Sequence, residues 1–160
     1  MKRQIRRSVF ETNSSSTHSF TYGNTHNSLV VNNEDNCVHT DLGEFGWEVE
    51  TYCDSATKLA YILLAAANFT SHSFWYFGDT GFDEMLESFK ETEEYKRIEE
   101  AVKSYMNCDG IVIDENSEGY IDHQSLEYNS FDSWLDDTGA SSVEDFIFGN
   151  VVLHTDNDNY

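Results

Sequence analysis

Apolar and polar positions alternate along the first fifty residues and then change period. "QIRRSVFE" (residues 4–11) sets Ile5, Arg7 and Val9 on one face, which predicts a strand. "SFTYG" (19–23) is expected to return as its hairpin partner, with "TNSSSTH" as the connecting loop. "SLVVNN" (28–33) predicts a third strand, closed by the turn signals Asn32, Asn33 and Asp35. "VHTDL" and "GWEVETY" are shorter strand candidates. From Asp54 or Ser55, either of which can cap a helix, the spacing of Leu59, Ile62, Leu63 and Ala66 predicts a helix to about Phe69. Thr80, with Asp83 three residues on, opens a second helical pattern. It runs to about Met106 with a break near Thr92 and buries Met85, Leu86, Phe89, Ile98, Val102 and Tyr105. "GIVID" and "GYIDH" are expected to pair as strands around "ENSEG". "SFDSWLDD" predicts a helical turn, "SSVEDFIFG" a short helix with Ser141 and Glu144 as capping box, and "VVLHT" a last strand. The expectation is one α+β domain over residues 1–160: a mostly antiparallel sheet with an N-terminal hairpin, two longer helices and short C-terminal helices.

Composition sharpens this picture. The 39% hydrophobic and 14% aromatic content is that of a chain with a real core, not a disordered acidic protein. Proline is absent, so no Pro-rich linker divides the chain. Cys37, Cys53 and Cys108 are odd in number and widely spaced, which excludes a disulfide framework or a zinc motif and points to the reducing cytosol. "MKRQIRRSVF" is basic but lacks the apolar run of a signal peptide, and "LAYILLAAANF" is too short to cross a membrane.

Charge is the strongest bulk signal. Thirty acidic residues face nine basic ones, a net charge of −21, and four of the nine are Lys2, Arg3, Arg6 and Arg7. Such a body repels nucleic acid and anionic membrane and attracts basic protein surfaces. The same charge also serves plain solubility.

Two stretches and the histidines are candidates for chemistry. The short hydroxyl and amide side chains of "VFETNSSSTHSF" suit an anion-binding nest, with Arg6 or Arg7 at its rim and His18 and a serine as base and nucleophile; a self-satisfied hairpin loop is the alternative. In "DENSEGYIDHQS", Asp114, Asn116, Glu118, Gly119, Ile121 and Asp122 fall at positions one, three, five, six, eight and nine of a calcium loop, but position twelve is Ser125 and the flanks are not helical. A hairpin turn explains the same residues. His18, His26, His39, His72, His123 and His154 are scattered, without metal-ligand spacing, and no metal or cofactor is expected.

"VFETNSSSTHS", "LGEFGWE", "GYIDHQS" and "FIFG…TDNDN" together resemble a family of small, mostly uncharacterised proteins of bacteriophages and mobile elements of Gram-positive bacteria, which open with a basic strand and a "FETNSSS–His–Ser" segment. The resemblance implies a setting in the host bacterial cytosol. It also implies that Arg6, Arg7, Glu11, Asn13, Ser14, Ser15, Ser16, His18, Glu44, Trp47, Glu48, Asp122, His123, Asp156, Asn157 and Asp158 form one composite ligand site. In that setting an acidic chain is expected to act in counter-defence. It would occupy the basic groove of a nucleic-acid-handling host protein, such as a CRISPR or restriction nuclease, through Glu84, Glu87, Glu91, Glu94, Asp132, Asp136 and Asp137. Glu93, Glu99, Glu100, Glu144 and Asp145 extend that surface. The alternative is a small nucleotide-binding protein, a sponge for a nucleotide signal or an enzyme. "CDGIVIDENSEGYID" is similar to the late strand pair of ADP-ribosyltransferase-like domains, which implies Glu118 as a catalytic acid.

Overall fold

The fold is organised by α1 (Ser55–Phe69), in which eleven of fifteen residues are buried. A helix apolar all round belongs inside a domain. Its start is built from side chains of a distant stretch. Asp54, in extended conformation, accepts the Thr57 N–H at 2.8 Å, and the Ser28 hydroxyl accepts the Ala56 N–H at 3.0 Å. The Ser55 hydroxyl accepts from the Ser28 N–H (2.8 Å) and donates to Asn27 (2.7 Å). The first two bonds satisfy N–H groups that a helix leaves free at its first turn, and the Ser55 bonds tie residues 27–28 to it. They also explain why residues 28–33 form no strand. The segment is spent on capping α1, and only an isolated bridge, Val31 with Val38, remains of the expected ladder.

The structure is a computed structural model that describes residues 19–22, 26–46, 50–74, 81–114, 117–121, 126 and 128–155. It is a single-domain α+β fold, with three small sheets among the described residues. The largest is antiparallel, in the order β1 (Ser19–Tyr22), β7 (Val151–Thr155), β4 (Glu50–Tyr52). β2 (Cys37–Thr40) pairs in parallel with β5 (Gly110–Ile113), and β3 (Glu44–Phe45) in parallel with β6 (Tyr120–Ile121). The first half of the expected N-terminal hairpin lies outside the described residues; the second half, β1, pairs with β7 from Ser19↔His154 to Tyr22↔Val151.

The expected pairing of "GIVID" with "GYIDH" is corrected by these registers. β5 is bound to β2, and the Asp114 N–H donates to the Thr40 carbonyl. Gly119 lies against α1, and there the Gly119 N–H donates to the Phe74 carbonyl and the Tyr120 N–H to the Gly43 carbonyl. A Cβ at Gly119 would stand 2.6 Å from Leu42 Cβ and 2.8 Å from Leu64 Cδ2. Glycine is required here by close approach to the helix, whatever the resemblance to a calcium loop.

The paired helices form as the pattern predicts, except that Tyr105, expected in the core, is 50% exposed because its ring stacks on Phe148 at 3.8 Å instead of turning inward. α2 (Phe82–Lys90) and α3 (Glu93–Met106) are separated at Thr92, whose hydroxyl accepts the Tyr95 N–H (3.2 Å) and donates to the Phe89 carbonyl (2.7 Å). Thr80 lies outside the described residues; Gly81 occupies the cap of α2 without a side-chain bond. α4 (Phe131–Asp137) is capped by Ser130. α5 (Val143–Phe148) starts one residue later than expected: Ser142 is the cap, and Asp145 reaches back to the Ser141 N–H at 2.8 Å.

Around α1 the core is aromatic. Trp134 is fully buried, its ring 6.0 Å from Tyr61, 5.5 Å from Phe131 and 5.3 Å from Phe146. Trp47 and Trp75 lie outside the described residues. Lys58 is the one buried cation among the described residues. Its ammonium donates to the carbonyls of Gly149 (3.1 Å) and Val151 (3.2 Å), fastening α1 to the α5–β7 junction. Burial holds its pKa below the ordinary lysine value, and Asp54 opposes that shift.

Two substitutions test this packing. Lys58→Ala removes the donor to both carbonyls and leaves a hole, and is expected to lower unfolding free energy by about 2–5 kcal/mol in urea denaturation. A loss below about 1 kcal/mol contradicts the fastening role. Gly119→Ala forces Leu42 or Leu64 aside and is expected to lower stability by about 1–3 kcal/mol in the same assay.

Candidate functional site

A groove of about 490 Å³ lies where α3, α4 and the start of α5 meet. Its floor is apolar: Ala101 of α3, Leu135 of α4, and Ala140 and Val143 beyond it. Its rim is acidic, with Glu100 from α3, Asp132 and Asp136 from α4, and Glu144 from α5. These carboxylates come together because Leu135 and Val143, buried on the inner faces of α4 and α5, turn the intervening polar positions outward. Among the described residues Arg97 is the single cation of the lining. Its guanidinium meets Asp132 at 2.6 Å and lies over the Phe131 ring, 5.4 Å from the centroid.

The residues expected to form the partner surface separate into two groups. Glu84, Glu87 and Glu91 are exposed and Glu94 is half-buried on the α2–α3 pair. This pair also carries Lys90, Lys96, Arg97 and Lys103, every cation of the described residues except Lys58. Lys90 pairs with Glu87 (3.1 Å) and Lys96 with Glu91 (3.3 Å), so the helix face is of mixed sign. Asp132 and Asp136 belong to the groove. Asp137 stands beside it and accepts the Tyr128 hydroxyl at 2.8 Å. Partial burial, then this bond, pushes the Tyr128 phenol up to about 12. Asp145 is occupied in holding Ser141. The contribution of Arg97 escaped sequence reasoning, because its partner stands 35 residues away with no local pattern to connect them.

Of the proposed composite site, Glu44 is exposed on β3, at a second groove of about 390 Å³ lined also by His39, Asp41 and Tyr52. Arg6, Arg7, Glu11, Asn13, Ser14, Ser15, Ser16, His18, Trp47, Glu48, Asp122, His123, Asp156, Asn157 and Asp158 lie outside the described residues. The sheet register does bear on three of the segments. Ser19 follows the first, Glu50 follows the second and Thr155 precedes the third. Ser19 pairs with His154 and Glu50 with Thr155, so all three attachment points sit at one end of the β1-β7-β4 sheet.

At the calcium-like loop, Asp114 faces His39, Gly119 is seated against α1 and Ile121 is buried in β6; Asn116 and Asp122 are outside the described residues. Among the described residues no three His, Cys, Asp or Glu side chains are grouped as metal ligands. The three cysteines are free thiols.

Two histidines sit in defined networks. Thr70 donates its hydroxyl to the Ala66 carbonyl, so it accepts from His72 Nδ1–H at 2.9 Å, which leaves Nε2 to accept the Ser88 hydroxyl at 3.1 Å. The order serine–histidine–threonine resembles a nucleophile relay, but Ser88 lies within α2, whose N–H groups are consumed by the helix. The chain of bonds ties the end of α1 to α2. His39 is different. Its Nε2 lies 2.7 Å from Asp35 and its Nδ1 3.4 Å from Asp114, so each ring nitrogen faces a carboxylate and both call for a proton. The hydrogen bond to Asp35, with a smaller contribution from Asp114, raises the imidazole above its ordinary pKa, and Asp35 is lowered in turn.

Compared with models of known protein families, with curated proteins and with solved structures, the chain has no match. Among the described residues, no helix is long and apolar enough to cross a membrane.

The His39 clamp has a definite pH dependence. A raised folded pKa means that the stabilisation is fully present below the unfolded value, about 6.5, and is lost as pH rises through the folded value. His39→Gln is therefore expected to lower the thermal midpoint more at about pH 5.5 than at about pH 8.5. Equal differences at the two pH values refute the clamp.

Proposed function

We propose that this protein binds a basic surface on a nucleic-acid-handling protein of its host cell, its carboxylates standing in for phosphates, and so inhibits that partner. The phage setting implied by the sequence resemblance makes a defence nuclease the partner class. The observation that carries the reading is the α3–α4–α5 groove, which gathers Glu100, Asp132, Asp136 and Glu144 around an apolar floor. Beyond Lys103 the chain adds 13 acidic residues and no Lys or Arg, so the field around this groove is strongly negative. A negative rim steers a basic partner into encounter, and an apolar floor holds it by excluding water. The same field repels nucleic acid itself. The interaction requires neither metal nor cofactor.

One observation favours a second reading. The attachment points of the Ser/His-rich opening, the "GEFGWE" segment and the acidic tail share one end of a sheet, which suits a nucleotide-binding or enzymatic site. The readings separate by substitution. A mimic is indifferent to His18→Ala and fails on reversal of the groove carboxylates, and a nucleotide site behaves the opposite way.

Capture from host lysate by the immobilised chain is expected to recover a basic nucleic-acid-binding protein at about 50 mM salt and to lose it at about 500 mM, as rim-charge association requires. Recovery of no such protein at low salt overturns the proposal.

A further inference from the structure

Arg97 is the only arginine among the described residues, and it lies in the acidic groove. Its guanidinium is held by two contacts of different kinds, the Asp132 carboxylate at 2.6 Å and the Phe131 ring at 5.4 Å. A carboxylate beside an aromatic face is guanidinium-recognition chemistry, in which a planar, weakly hydrated cation gains from both. The groove thus contains a guanidinium already, supplied by the chain itself. We propose that Arg97 is a placeholder, and that the groove is an arginine-docking site whose external occupant is an arginine side chain of the basic partner. This rests on the reading proposed above and names the chemistry of the contact.

Three features favour exchange over a fixed tie. Arg97 and Asp132 are exposed, at 43% and 71% of their side-chain surface, and exposed pairs contribute little to stability, so the bond opens at small cost. Asp136 and Glu144 line the same groove without a cationic partner among the described residues, so the site holds more negative charge than Arg97 neutralises. The floor of Ala101, Leu135, Ala140 and Val143 matches the aliphatic stem of an entering arginine. A docked metal ion is a poorer fit, because the carboxylates are not grouped as ligands among the described residues.

An arginine–alanine repeat peptide of about twelve residues, titrated by calorimetry at about 150 mM salt, is the probe. Arg97→Gln frees the Asp132 wall and is expected to tighten peptide binding about three- to tenfold relative to wild type. Lys90→Gln makes the same change in net charge away from the groove and is expected to change it less than about twofold. Asp136→Lys with Glu144→Lys is expected to abolish binding, while Asp83→Lys with Glu84→Lys, equal in charge but outside the groove, only weakens it. In the wild-type chain, the Arg97 side-chain Nε–H resonance is expected to move toward its solvent-exposed position as peptide is added. This readout needs no variant and stands even if Arg97→Gln unfolds. The proposal is overturned if the two single variants behave alike, if the two reversals weaken binding equally, or if the Arg97 resonance is unmoved at saturation. Peptide docking in the groove with no partner recovered from lysate leaves this inference standing and removes the functional reading; the reverse pattern does the opposite.

Discussion

The fold depends on enclosing one helix on every side. α1 is buried around its whole circumference, and α3, α4, α5, β2 and β6 all pack against it. A helix so apolar cannot face water on any flank, so the elements are arranged as a shell around it and not as layers on one sheet. Its polar ends then become the problem. At the N-terminus the free N–H groups are met by the His26 carbonyl, Ser28 and Asp54, which draws residues 26–29 out of any sheet. Along its side, Lys58 reaches two backbone carbonyls where α5 hands over to β7. The small sheets, two of them parallel pairs, are what remains once this enclosure is met.

The same enclosure drives charge outward. With nearly every apolar side chain committed to the shell, the acidic residues of α4 and α5 have only the outer surface available. Four surface cations on α2 and α3 offset part of the repulsion, three of them in pairs with Glu87, Glu91 and Asp132. Such pairs are worth little individually, but they divide the surface into a mixed-sign region and an unrelieved acidic one. The groove lies at the border of the two, where Arg97 of the mixed helix meets Asp132 of the acidic one. It is therefore the place where a cation from outside finds both negative charge and an apolar seat.

Where helices begin and end was legible along the chain. The cap at Asp54 and the helix break at Thr92 fall where expected, and the cap of α5 falls one residue beyond Ser141, because caps and apolar periodicity act within one or two turns. The α+β class followed from the same patterns. Glycine at 119 was noticed for a turn, whereas the structure requires it for the approach of Leu42 and Leu64, a contact no local pattern expresses. His39 read as one scattered histidine among six, until folding set Asp35 and Asp114 on opposite sides of its ring.

The chain by itself determined the helices, their caps, the acidic excess and the identity of the carboxylates available to a partner. Tertiary structure decided which strands pair and which charges meet. β5 and β6, close in sequence, joined β2 and β3, and Gly119 before β6 is seated against Leu64 of α1. Glu100, Asp132, Asp136 and Glu144 became neighbours only when α3, α4 and α5 packed around that helix. Caps and periodicity are short-range and can be read a few residues at a time. Strand pairing and charge convergence depend on closing the shell, and that is a property of the whole chain.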